Sequence, residues 1–419
     1  MSAEPPKGLR PETLAVSHGY DPAMGMGAVK APIFMTSTFV YPSAQAAKDV
    51  HEAFFDGTGP AVGAANHIYS RLGHPGLDFL EARLAAIDGG EAAVAYSSGM
   101  AAHTSVALAF VRPGDSIIHG RPIYGGVDAL YNSIMPQFGT YAAAYTDGTD
   151  AENVRIAAKA AMAAGPLALI IAETPANPTA AIVDLALMVR VADEIGALQG
   201  RRPHVVVDNT LLGPFAQRPL ELGVDLCLTS LTKYCAGHSD LLAGGISGRS
   251  ELIDLLRTQR TTWGNHLDPY TSWLVMRSLE SVHVRTERAM SNARAVAEFL
   301  RDHAKVVSVT YLGFLVAGTP QRAVFDRQCK GAGSTFSFHL HGGEAQAFRM
   351  LDRLRLMKMA VSLGGSETLI CHSASTTHYA VPREQRLAGG ITDGTIRLSV
   401  GLEHVDDLIA DLAQALETV

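Results

Sequence analysis

The sequence predicts an α/β protein with a mostly parallel central sheet and a smaller α+β module at its C-terminal end. Three observations predict it. From about residue 76, short continuous apolar segments alternate with helical stretches, the pattern of a parallel sheet covered on both faces. Beyond a long helical segment ending near residue 301, an alternating strand, a helix, a further strand and an amphipathic helix follow. The 419 residues and 47% apolar content suffice for two or three domains at about 150 residues each.

Residues 1–65 read as an extended arm. Pro5, Pro6, Pro11, Pro22, Pro32, Pro42 and Pro60 break helices and ladders, and a glycine-rich stretch follows Asp56. An arm of this kind is expected to wrap a neighbouring subunit. A large domain is expected over 66–270, and a linking helix with a small domain over 271–419. In the large domain, apolar residues at 77, 80, 84 and 87 have helical spacing. Ala92–Tyr96 is a strand and Met100–Val111 an alanine-rich helix. Ser116–His119, Leu167–Ala172, Val205–Asp208 and Leu226–Leu228 are further short strands. His266–Arg301 is expected to be helical throughout. Ser334–Leu340 and Thr395–Val400 are strands, and helices are expected near Ala345–Leu354 and over Val405–Leu416.

Composition excludes several function classes. Charged residues are 18%, and 34 Lys and Arg against 41 Asp and Glu leave a net charge of −7. Without a basic run, neither nucleic acid nor an anionic membrane is an expected partner. No apolar stretch approaches the roughly 18–20 residues that span a bilayer, and residues 1–14 carry no signal-like apolar core. Cys227, Cys235, Cys329 and Cys371 have neither disulfide nor metal-ligand spacing, so no metal is expected and a reducing, cytoplasmic setting fits.

In open parallel sheets, ligands bind beyond the carboxyl ends of the strands. After the strand 92–96, Ser97-Ser98-Gly99-Met100 opens a helix, a phosphate cradle or an ordinary N-cap. The strand 167–172 runs into Glu173-Thr-Pro-Ala-Asn177-Pro178, either a proline turn or an amide placed at the sheet mouth. Asp208 ends a buried strand, where a carboxylate needs a donor or cation, or caps a turn. Beyond Leu226–Leu228, Ser230 and Thr232 flank Lys233. A lone lysine is usually a solvated charge. Cradle, strand-end carboxylate and strand-end amine together are what pyridoxal phosphate requires.

With these segments in register, the chain resembles the cystathionine synthase and lyase family of pyridoxal-phosphate enzymes over nearly its whole length. The resemblance is carried by Thr13-Leu-Ala-Val, Pro32-Ile-Phe-Met-Thr-Ser-Thr-Phe39, Tyr69-Ser-Arg71 and Ser97-Ser-Gly-Met100. It continues through Tyr124-Gly-Gly126, Glu173–Pro178, Asp208-Asn-Thr210, Ser230–Tyr234, Ser362-Leu-Gly-Gly-Ser-Glu367 and Arg397–Glu403. It implies a type I aminotransferase-like fold with pyridoxal 5'-phosphate as cofactor. It further implies that Lys233 forms the imine with the cofactor and shuttles protons. Asp208 pairs with the ring nitrogen, and Tyr124 stacks on the ring and serves near the leaving group. Ser98, Gly99, Met100, Ser230 and Thr232 hold the phosphate, completed from a neighbouring subunit by Tyr69 and Arg71. Arg397 clamps the substrate α-carboxylate, helped by Asn177 and Ser362. The implied assembly is a homotetramer of dimers that share active sites.

The implied chemistry is γ-elimination from a methionine-, cystathionine- or canavanine-like amino acid, through external aldimine, ketimine and vinylglycine intermediates. The alternative is γ-replacement, as in a cystathionine γ-synthase or an O-acylhomoserine sulfhydrylase. A non-catalytic module is disfavoured because Lys233, Asp208 and Arg397 are all present. Some positions depart from the family. Gly126 stands where methionine lyases carry cysteine, and Gly364-Gly365 where they carry Gly-Asp. His74-Pro75-Gly76 follows Arg71, and His372-Ser-Ala-Ser-Thr-Thr-His378 replaces the usual His-Pro-Ala run. His74, His378 and Asp56 are open between pocket and ordinary structural or solvated roles.

Overall fold

The computed structural model describes residues 8–56 and 67–419, so the glycine-rich stretch after Asp56 lies outside the described residues. Its strands are β1 (Ala92–Tyr96), β2 (Ser116–Gly120), β3 (Tyr141–Tyr145), β4 (Leu167–Glu173), β5 (His204–Asp208), β6 (Leu226–Thr229) and β7 (Gly244–Gly248). Toward the C-terminus follow β8 (Val306–Val309), β9 (Thr335–Leu340), β10 (Lys358–Met359), β11 (Leu369–His372) and β12 (Thr395–Ser399).

The chain forms two compact units. The first holds residues 1–109, 228–236 and 240–282, the second residues 110–227, 237–239 and 283–419. These are not the blocks expected from boundaries at 65 and 270, because both units draw on separated stretches of chain.

In the first unit, β1 pairs antiparallel with β7. The helix Pro75–Asp88 packs on them through Leu77, Leu80, Leu84 and Ile87, all buried as their spacing predicts. Each such side chain contributes about 1.5–3 kcal/mol when fully buried. Glu81, on the same helix, is buried and accepts from the Ala95 amide at 2.9 Å and from Arg260, anchoring β1. The expectation of an extended arm is corrected here. Its described part contains helices Pro11–Ser17 and Ala44–Asp56. Pro42 and Pro60 flank the second helix in sequence without entering it, and it buries none of its residues.

In the second unit, β3, β2, β4 and β5 pair in parallel, in that order. β4 is buried along its whole length and β5 from Val205 onward. Ile118, Ile170, Val205 and Val207 share a core with Val191 and Ile195 of the helix Leu185–Gln199. This is the doubly covered parallel sheet that continuous apolar strands imply. The same unit contains the C-terminal sheet, in which β11, β12, β9 and β8 pair antiparallel in that order. Phe336, Phe338, Ile396 and Leu398 pack there against Leu408, Leu412 and Leu416 of the helix Val405–Leu416. The helix expected over 266–301 is two helices, Pro269–Leu279 and Val282–Arg301. Among the described residues no helix is long and apolar enough to cross a membrane, and no cluster of metal-ligating side chains occurs.

Candidate active site

The first unit places Ser98, Gly99, Met100, Ser230, Thr232 and Lys233 in two adjoining segments. β1 ends at Tyr96, and the helix Gly99–Phe110 begins three residues later. Ser98 caps it, its Oγ accepting from the Ala101 amide at 3.0 Å. The amides of Gly99 and Met100 begin the helix, so no earlier turn can satisfy them, and they suit an anion. A Cβ at Gly99 would lie 2.9 Å from Cβ and Oγ of Ser230. Only glycine lets the helix start come this close to the segment after β6. Lys233 sits half-buried in the turn that follows, its amide donating to the Ser230 carbonyl at 3.1 Å. The Thr232 hydroxyl is committed to Ala243, donating to its carbonyl at 3.1 Å and accepting its amide at 2.9 Å. It would reach a phosphate only by giving up the first of these bonds. Tyr69 is largely exposed, and the Arg71 guanidinium lies over its ring at 5.7 Å. Arg71 also donates to the Thr261 carbonyl.

The second unit places Tyr124, Asn177, Asp208, Ser362 and Arg397. Asp208 ends β5, 8% exposed, with Oδ1 accepting the Thr210 amide at 2.9 Å. Its neighbour in register at the end of β4 is Glu173. Behind them Tyr131 is fully buried and its hydroxyl has no partner among the described residues. Burial, then the charge of Asp208, pushes that phenol upward. Tyr124 follows β2 and exposes its ring, while its backbone amide donates to Glu173 Oε2 at 2.9 Å. Gly125 beside it meets the Thr377 carbonyl, which a Cβ there would approach to 3.0 Å.

Arg397 projects from the middle of β12 and is 3% exposed. Nη1 donates to Asn177 Oδ1 at 3.2 Å and Nη2 to the Ser362 carbonyl at 2.6 Å. Ser362 has φ 85°, a left-handed conformation that costs a non-glycine residue and here aims its carbonyl at the guanidinium. Among the described residues Arg397 pairs with no carboxylate, and its Nε has no partner. A buried guanidinium held only by neutral acceptors is costly until an anion arrives. The three residues named for carboxylate binding are thus one hydrogen-bonded group.

The three open residues separate. His74 caps the helix Pro75–Asp88, Nδ1 accepting the Leu77 amide at 3.1 Å while Nε2 meets the Leu267 carbonyl at 3.1 Å, a structural role. Asp56 is solvated. His378 is 2% exposed and within electrostatic reach of Arg397. His372 is tied to Ser375 Oγ and the Asp393 carbonyl. Sequence reasoning assigned no role to Glu173, although it lies in a quoted segment. Its significance is two backbone contacts, which no residue pattern announces.

Each unit by itself supplies groups of the kinds pyridoxal phosphate requires: the first an amine in a half-buried turn and a helix start that a Cβ would obstruct, the second a buried strand-end carboxylate. The comparisons agree. The family model for Cys/Met metabolism PLP-dependent enzymes matches residues 12–417. The L-methionine gamma-lyase of Pseudomonas putida is 39% identical over 97% of this chain and 96% of its own. The cystathionine beta-lyase of Bacillus subtilis is 36% identical over 97% and 96%. The crystal structure of cystathionine gamma synthase from Xanthomonas oryzae pv. oryzae, in complex with aminoacrylate and cysteine, superposes with TM-score 0.86. It is 35% identical and covers 98% of this chain and 99% of that one.

Proposed function

The chain belongs to the family of Cys/Met metabolism PLP-dependent enzymes, and on that premise we propose that it is a lyase removing the γ-substituent of an L-amino acid. Its cofactor is pyridoxal 5'-phosphate. The observation that carries the reading is Arg397: a buried guanidinium braced by Asn177 and Ser362, with no carboxylate of its own, suits the α-carboxylate of an amino acid. Similarity to methionine gamma-lyases across nearly the whole chain favours elimination and a methionine-like substrate. Cystathionine-like and canavanine-like γ-substituents are the further candidates.

When bound, the cofactor serves as an electron sink for charge developing at Cα and Cβ. Around it the chain's own residues do the rest. Lys233 holds the cofactor and then moves protons at Cα and Cβ, its basicity tuned by partial burial. Asp208 keeps the proton on the ring nitrogen. The amides of Gly99 and Met100, with Ser98, Ser230 and Thr232, hold the phosphate. Tyr124 stacks its exposed ring and acts near the leaving group. Arg397, Asn177 and Ser362 orient the substrate. Tyr69 and Arg71 serve the phosphate site of a neighbouring subunit, and the assembly is a cytoplasmic homotetramer.

The similarity to cystathionine gamma synthase, together with Gly126 and Gly364-Gly365, favours a second reading, γ-replacement. The purified holoenzyme is given methionine, cystathionine, O-acetylhomoserine or canavanine, with and without a thiol. Release of 2-oxobutanoate without thiol is expected. Product formed only when thiol is present would replace elimination by γ-replacement.

A further inference from the structure

Glu173 closes β4 at 4% exposure, and no cation pairs with it among the described residues. Its charge is opposed twice, by burial and by Asp208 beside it in register. Together these push its carboxyl above the usual carboxylate range, despite two hydrogen bonds that favour ionisation. Such a group is expensive to keep where an apolar side chain would fill the space.

What the carboxylate does with its two oxygens is specific. Oε1 accepts the backbone amide of Asn177 at 2.7 Å, and Oε2 accepts the backbone amide of Tyr124 at 2.9 Å. These two residues lie on different loops, after β4 and after β2. One presents the exposed ring. The other presents the Oδ1 that holds Arg397. The helix that begins after Tyr124 lacks a side-chain cap. Around the same frame the Thr377 carbonyl closes on Gly125, and His378 is within electrostatic reach of Arg397.

We propose that Glu173 is a positioning residue of the reaction, its two carboxylate oxygens locking the ring-stacking Tyr124 and the Asn177–Arg397 carboxylate clamp into one frame. This rests on the reading of Tyr124, Asn177 and Arg397 given above. Glu173 touches neither substrate nor cofactor. It fixes the relation between the group that orients the substrate and the group that acts near its leaving substituent. A shift of either loop would misplace one end of the substrate while the other stayed held.

The test uses Glu173→Gln in the cofactor-loaded enzyme. Glutamine is isosteric, but its amide nitrogen cannot accept an N–H, so one of the two bonds is lost. A packing role would leave this variant kinetically normal. The positioning role expects unchanged cofactor content and a melting temperature near wild type. It expects kcat/KM for methionine to fall about tenfold or more, with KM raised and kcat lowered together. Glu173→Ala, which loses both bonds, is expected to fall further. Hydrogen exchange of peptides covering Tyr124 and Asn177 supplies a readout independent of turnover. Protection at one of these two amides is expected to drop in the glutamine variant, and at both in Glu173→Ala. A glutamine variant with kcat and KM within about twofold of wild type and unchanged protection overturns the proposal. So does one whose loss is fully accounted for by lost cofactor. Arg397→Ala separates the underlying reading. If it leaves KM for methionine unchanged, the carboxylate clamp itself is wrong; if KM rises while Glu173→Gln behaves as wild type, only the role of Glu173 falls.

Discussion

At the scale of single residues, the proposed carboxylate clamp accounts for the condition of His378. Its Nδ1 meets Thr377 Oγ1 at 2.9 Å. Burial first, and then the charge of Arg397, push the imidazole down to about 4. A neutral ring is what a guanidinium awaiting an anion tolerates beside it. In the unfolded chain the same ring titrates near 6.5, so between about 4 and 6.5 the unfolded state binds more protons. Stability from this group is therefore present above pH 6.5 and lost as pH falls toward 4. Over that interval the loss is at most about 3–4 kcal/mol. In His378→Gln the fall of melting temperature between pH 7 and pH 5 is expected to be shallower than in wild type. Equal slopes would show that His378 is not held neutral by the fold. The sequence offered His74 and His378 on equal terms, because residue type and neighbours do not say which side chain is enclosed. A helix N-cap took one, and the approach of Thr377 to Gly125 enclosed the other.

At the scale of elements, the strand-end rule located Lys233, Asp208 and Asn177 because each follows a continuous apolar strand that cannot be solvated on either face. Two of the strands that escaped prediction, β7 and β3, lack that signal. β7 reads Gly-Gly-Ile-Ser-Gly, and glycines ordinarily argue against a strand. Gly244 is required there because a Cβ would fall 2.2 Å from the Ser98 carbonyl, so the cue that hid the strand is also the reason for it. β3, Tyr141–Tyr145, is short and alanine-rich with Tyr141 exposed, and no alternation marks it. Glu173 was invisible as a functional residue for a related reason: its partners are two amides of distant loops. The close approach of the helix Gly99–Phe110 to Ser230 is testable at this scale. In Gly99→Ala the new methyl must displace Ser230, and overpacking of this kind costs about 1–3 kcal/mol. The amides at the helix start would shift with it. Titrating apo-protein with pyridoxal 5'-phosphate is expected to show a Kd raised about tenfold or more, while secondary structure is retained. Undiminished affinity would mean that this helix start does not hold the phosphate.

At the scale of the whole molecule, one chain leaves some of its features without a use inside it. Met26, Val29, Met35 and Val40 of the arm are each more than 70% exposed. Isolated apolar residues are common on surfaces, but four along one arm, with Tyr69 also exposed, suit a surface that the proposed assembly would cover. The low charge content, 18%, has the same sense. Here the sequence was informative through prolines and motif order more than through periodicity. It could not show the helix Ala44–Asp56, which buries none of its residues. If Tyr69 and Arg71 serve the neighbour's phosphate site, the two lesions Arg71→Ala and Lys233→Ala complement one another. In a hybrid dimer, one site receives both lesions. The other combines an intact lysine from one subunit with an intact arginine from its partner. Co-expressing the two variants with different affinity tags, isolating the doubly tagged species and counting its mixed dimers after cross-linking gives such hybrids without relying on exchange, since a doubly tagged tetramer can also pair two unmixed dimers. The expected turnover per dimer is about half of wild type, because a twofold assembly has one repaired site of two. Activity no greater than the mean of the two parent variants would place Arg71 and Lys233 in the same subunit's site. Each chain would then carry a complete catalytic apparatus, and the exposed arm would need another explanation.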